Sequence, residues 1–137
     1  MRKSDISAAA LSTLGTPFHA QGRLPGVGLD CIGVVACAAT AIGFQFQDRA
    51  DYSMSPTGEL QPILESYLTR VDGEPEEGDI LLMKWRGYAP HHVAIYVGNG
   101  EIVHAYNQKH VRKVVKQTYS QDWKRKTVAV YRFPGVS

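Results

Sequence analysis

The stretch "HHVAIYVGNGEIVHAYN" (residues 91–107) decides how this chain is read. Apolar residues recur with a period of two on either side of Gly98-Asn99-Gly100, the pattern of a β-hairpin with a buried face. Alternation places His92, Ala94 and Tyr96 on one face of the first strand, with His91, Val93, Ile95 and Val97 on the other. On the second strand Ile102, His104 and Tyr106 share a face. Whether His92 and His104 meet depends on the turn. A three-residue loop, Gly98-Asn99-Gly100, pairs Val97 with Glu101 and sets His104 diagonal to His92 on the same face. A two-residue Asn99-Gly100 turn slips the register by one and sends the histidines to opposite faces. Local propensity favours the two-residue turn, because Asn-Gly is its strongest signal. A site built from both histidines needs an odd loop, most simply three residues.

Outward from the hairpin, "DILLMKW" (79–85) and "TVAVYRF" (127–133) also read as strands, and a further strand is expected near 111–117. The acidic segment "VDGEPEEGD" (71–79) reads as a loop. Before it the pattern is helical. One helix is expected over 4–14, capped by Ser4 and closed by Gly15 and Pro17; a second covers 31–42, stopped by Gly43. A third spans roughly 58–69, with Leu60, Ile63, Leu64, Tyr67 and Leu68 as its apolar stripe and Pro62 in its first turn. Helices followed by an antiparallel sheet predict an α+β fold, helices on one face of the sheet. The 137 residues fit a single domain, 1–137, with enough apolar content for a core.

No stretch approaches the ~20 apolar residues of a membrane span. The start, "MRKSDISAAALSTLGTP", has basic residues before a mildly apolar run, but Asp5 and the helix signals argue against a signal peptide. Cys31 and Cys37 fall in one helix with Cα atoms about 9 Å apart, too far to bridge. Free thiols suit a protein made in a reducing cytoplasm. From Lys109 onward there are eight lysines and arginines against one acid, whereas the residues before it hold seven bases and twelve acids. The basic end suits an acidic partner, an anionic wall polymer or a solvated sheet edge; nucleic acid is the least supported partner.

The remaining question is Cys31, in "GVGLDCIGVVACAATAIG" (26–43), straight after Asp30 at a helix start. Unpaired N–H groups and the positive end of the helix dipole favour a thiolate there, and the same groups can bind an oxyanion. Gly26 and Gly28 would leave the sulfur open to substrate, so Cys31 should react faster than Cys37, which reads as packing. His92 on the hairpin is the candidate base, with His104 orienting it.

Taken together, "LGTPFHAQG" (14–22), "LDCIG" (29–33), "GDILLM" (78–83) and "HHVAIYVGNGEIVHA" (91–105) resemble the NlpC family of papain-like cysteine peptidases, which cut bacterial cell-wall peptides. The resemblance includes the spacing from His92 to His104. It implies a papain-like fold, Cys31 as nucleophile, His92 as general base and His104 as third polar residue. Phe18 stands where the family usually has Tyr, and Ile32 replaces the Ser after the nucleophile. Asp30 matches the family's acid and is expected, with Phe18, to meet substrate. No cofactor and no metal are implied.

The approach "GTPFHAQGRLPGVGLDCIG" (15–33) and the ending "YRFPG" (131–135) resemble cell-wall peptidases of phage tails and gene-transfer agents. That likeness implies cleavage of the peptidoglycan stem peptide at the D-glutamyl–diamino acid bond by a virion-tail enzyme. It would act in the host periplasm or wall, its basic end touching tail-tip proteins. Rival readings are a structural tail-tip subunit with an idle site and a CHAP-type amidase. A zinc site of Cys31, His92 and His104 lacks a second short-spaced ligand pair.

Overall fold

The computed structural model describes residues 2–45, 60–108 and 110–137. Helix α1 (Lys3–Leu11) is followed by a small ribbon of β1 (Arg23–Leu24) and β2 (Gly28–Leu29), then by α2 (Cys31–Ala41) and α3 (Leu60–Tyr67). The rest is β3 (Thr69–Val71), β4 (Ile80–Met83), β5 (His92–Gly98), β6 (Glu101–Gln108), β7 (Val111–Thr118), a short helix α4 (Gln121–Lys126) and β8 (Thr127–Arg132). The six strands β3–β8 form one antiparallel sheet in the order β3-β8-β4-β5-β6-β7. This is the expected α+β arrangement.

Element boundaries differ where local chemistry differs. Arg2, not Ser4, occupies the N-cap of α1, and Asp5 accepts from the Arg2 backbone N–H at 3.2 Å. Residues 58 and 59, the expected start of the third helix, lie outside the described residues. That helix ends at Tyr67, and Thr69–Val71 pair with Arg132–Val130 of β8 instead of continuing it or entering a loop.

Both layers pack as amphipathic elements should. Ile80, Leu82, Val93, Ile95, Val103 and Ala105 form the sheet face that receives Ile6 and Ala10 of α1, Val34, Val35, Ala38 and Ala39 of α2, and Ile63 and Leu64 of α3. Each fully buried Val, Leu or Ile is worth about 1.5–3 kcal/mol of transfer free energy. The opposite sheet face carries Leu81, Met83, Ala94, Ile102 and Tyr119, with Trp123 of α4 packed over them. Among the described residues no helix is long and apolar enough to cross a membrane.

The hairpin satisfies both demands that the sequence sets against each other. Gly98 pairs with Glu101, so the turn is the two-residue Asn99-Gly100 form, and both residues have positive φ (54° and 73°) as a type I′ turn requires. The ladder beyond it nevertheless has the long-loop register, Tyr96 with Ile102 and Ile95 with Val103, because the register shifts between Tyr96 and Gly98. Val97 is the extra residue of a β-bulge. The expectation of an odd loop is therefore corrected. A bulge, not the turn, restores parity and keeps His92 and His104 on one face.

The basic end is less free than its charge suggests. Arg132 makes a two-pronged ion pair with the buried Asp79, both contacts 2.8 Å, and a third contact with Glu76, which also pairs with Lys3. Arg125 and Lys126 pair with Asp122, and Lys116 with Glu101. Arg112 and Lys113 remain exposed on β7, whereas Lys109 lies outside the described residues.

Candidate active site

Asp30 prepares the site by folding the loop before α2. Its carboxylate caps the helix, accepting from the Gly33 N–H at 2.7 Å, and also accepts from the Gln21 N–H at 2.8 Å and from Arg23 at 2.9 Å. The carboxyl group is fully buried. It thus acts as a structural cap with both oxygens engaged, and it is not among the residues that line the cleft described next. Gly33 allows the close approach, since a Cβ there would sit 2.4 Å from the Gly22 carbonyl oxygen.

The cap leaves Cys31 as the first residue of α2, at one end of a cleft of about 460 Å³. Phe18, Ala20, Trp85, His91, His92 and Tyr106 line the same cleft. Phe18 is held there by the edge of β7, its N–H donating to the Arg112 carbonyl at 2.8 Å. Among the described residues the cleft lining contains no carboxylate, lysine or arginine. Ile32, in contrast, points into the core and is 1% exposed.

The sulfur is less open than expected. Cys31 is 2% exposed and Cys37 only half-buried. Burial, with the nearby Asp30 charge, pushes the Cys31 thiol up to about 12 against weaker lowering by hydrogen bonds from the Val93 and Ile32 backbones. Desolvation outweighs the helix end, so the group rests as a thiol and the expected thiolate is corrected. The order of alkylation expected from position alone no longer follows.

His92 and His104 meet as the register requires, His92 Nε2 lying 2.7 Å from His104 Nδ1. His104 Nε2 in turn lies 2.6 Å from Gln117 Oε1 on β7. Burial holds both imidazoles well below their ordinary range, His104 at about 4, so both are neutral at neutral pH. The two ring nitrogens that bond each other are not jointly open to a metal ion. Around them stand Tyr106, stacked on His104 at 5.2 Å, and Trp123 and Trp85, whose rings lie 4.9 Å from His104 and 5.5 Å from His92.

The histidines project from the sheet face that carries Met83 and Ala94, whereas α2 packs on the face of Val93 and Ile95. The helix does not cross the histidine face. Cys31, the first residue of α2, and His92, the first of β5, line one cleft.

Comparison with known proteins fits this geometry. The model of the NlpC/P60 family matches residues 15–132. The chain belongs to the NlpC/P60 family. Among solved structures, the NlpC/P60 domain of the peptidoglycan hydrolase SagA superposes with a TM-score of 0.68 at 22% identity, covering 97% of this chain and 100% of that one. An NlpC/P60 protein from Bacillus cereus gives 0.71 at 20% identity, with 97% of this chain covering 40% of that one. RipD from Mycobacterium tuberculosis, a non-catalytic NlpC/P60 domain protein adapted to peptidoglycan binding, gives 0.64 at 18% identity over 96% and 98% of the two chains. At these identities the likeness is one of fold. Comparison with the curated proteins gives no match.

Beside the residues expected from sequence, this NlpC/P60 domain brings Gln117, Trp85, Tyr106 and Trp123 around His92 and His104. The face of Gln117 follows from pairing β7 with β6, but α4, which brings Trp123, has no strong apolar period to announce it.

Proposed function

We propose that this chain is a peptidoglycan hydrolase, a cysteine endopeptidase that cuts the stem peptide at the D-glutamyl–diamino acid bond. The observation that carries the reading is the Cys31 thiol at the cleft with His92, whose Nε2 is already engaged by His104. His92 Nδ1 is the nitrogen left to take the thiol proton as sulfur attacks the scissile carbonyl. N–H groups at the start of α2 stabilise the oxyanion. Collapse of the tetrahedral adduct breaks the C–N bond, and His92 returns the proton to the departing amine. Water, deprotonated by the same nitrogen, then hydrolyses the thioester and restores the thiol. Proton transfer in step with attack suits a pair that rests neutral. The choice of bond rests on the family resemblance. So does delivery by a virion tail, where exposed Arg112 and Lys113 would contribute to docking on tail-tip proteins.

A non-catalytic, peptidoglycan-binding role is the second reading, favoured by the burial of Cys31. Mass spectrometry of purified peptidoglycan after incubation separates the two. Cleavage should leave a free amino group on the diamino acid and a free side-chain carboxyl on the glutamate. Fragments cut only at the lactyl–alanine or sugar bonds would refute the endopeptidase assignment, and binding without any cleavage would establish the second reading.

A further inference from the structure

We infer that Gln117 is a positioning residue that sets the proton polarity of the His92–His104 pair and so decides which nitrogen of His92 is free to act as base. The inference rests on the hydrolase reading for its consequence in turnover, but its premise is geometric. A neutral imidazole carries one N–H and one acceptor nitrogen, so each bond in a chain of two dictates the next. Gln117 presents its carbonyl oxygen to His104 Nε2 at 2.6 Å, which makes that nitrogen the N–H. His104 Nδ1 is then an acceptor. Across 2.7 Å it takes the hydrogen of His92 Nε2, which leaves His92 Nδ1 as the lone pair. Were Gln117 to present its NH₂ group instead, every bond would reverse and His92 Nδ1 would carry a hydrogen, unable to accept one from Cys31.

No other hydrogen-bond acceptor facing His104 takes this place among the described residues. Its titratable neighbours are His92 on β5, the stacked Tyr106 on its own strand and, diagonal to it on β7, the exposed Lys113, whose ammonium offers no acceptor. From α4 it meets the Trp123 ring, over which Lys126 lies at 5.4 Å. Neither ring face offers Nε2 an oxygen. Gln117 is anchored for the task, since β7 pairs continuously with β6 and sets Gln117 opposite Ile102, two residues before His104.

The test uses the full chain and two readouts. In the unliganded protein, nitrogen-15 NMR of the imidazoles should show His92 protonated on Nε2. In Gln117→Met the proton should spread over both nitrogens, and on peptidoglycan fragments kcat should fall at least about tenfold with KM unchanged. Gln117→Glu keeps the acceptor and should restore turnover on the alkaline side only, because its charge helps His104 take a second proton as the pH falls. A merely structural glutamine would give no such pH-dependent rescue. If His92 stays protonated on Nε2 in Gln117→Met, or Gln117→Glu rescues nothing at any pH, the inference is overturned. Should the tautomer move as stated while the wild-type protein cuts nothing, the hydrolase reading fails and the role of Gln117 stands.

Discussion

His92 and His104 have different jobs, and substitution should separate them. His92→Ala removes the proton carrier and should lower turnover by about 10²–10⁴-fold, the usual worth of a general base. His104→Ala loosens orientation without deleting the base and should cost less, which steady-state kinetics on the two variants would show. The same burial has a thermodynamic signature. His104 is held at about 4 against an ordinary value of 6.5. An unfolded histidine binds protons that the folded one refuses, so the stability is complete above about 6.5 and is lost as pH falls toward about 4. For His104 alone that loss is on the order of 3 kcal/mol. Denaturation midpoints across this range should therefore slope upward with pH, and His104→Asn should flatten the slope. At this scale the meeting of His92 with His104 and the place of Cys31 at a helix start were readable from type and spacing. The state of the thiol was not, because burial in the assembled core is a tertiary fact that overrides the helix end. The setting of Asp30 was equally hidden: it accepts from residues 21, 23 and 33, and only the last of these follows from a capping rule.

The hairpin shows what an element adds to its residues. Asn-Gly announced the turn correctly and the spacing of the histidines announced the register correctly, yet the two conflict unless Val97 bulges. Nothing in the residue type of Val97 signals a bulge, so the reconciliation is visible only in the paired strands. Asn99 has a φ of 54°, the left-handed region where a β-branched side chain is strained. Asn99→Val should cost about 1–2 kcal/mol in chemical denaturation, whereas Asn99→Gly should be nearly neutral. A turn that tolerated valine without loss would mean that the hairpin is not built this way. Helix α4 marks the other limit of sequence reading. Its six residues bury no side chain fully, yet Trp123 covers the histidine face.

For the whole molecule, the Asp79–Arg132 pair ties the loop before β4 to the last strand, and with Glu76 and Lys3 it reaches α1. Asp79 is fully buried, so Asp79→Ala should destabilise by about 3 kcal/mol, the lower end for breaking a buried pair because Arg132 retains some contact with water. An unchanged melting transition would remove this brace from the account. The layered α+β order was legible because helical and strand periods occupy separate halves of the sequence. The routes by which distant acids and bases find one another were not, since charge composition alone gives no partners. What the assembled molecule is for turns on Cys31. The most direct measurement is the release of new amino groups from purified peptidoglycan by the wild-type protein and by Cys31→Ala. The account predicts steady release by the wild type and none above background by Cys31→Ala. Equal release by both proteins, or none by the wild type, would contradict it.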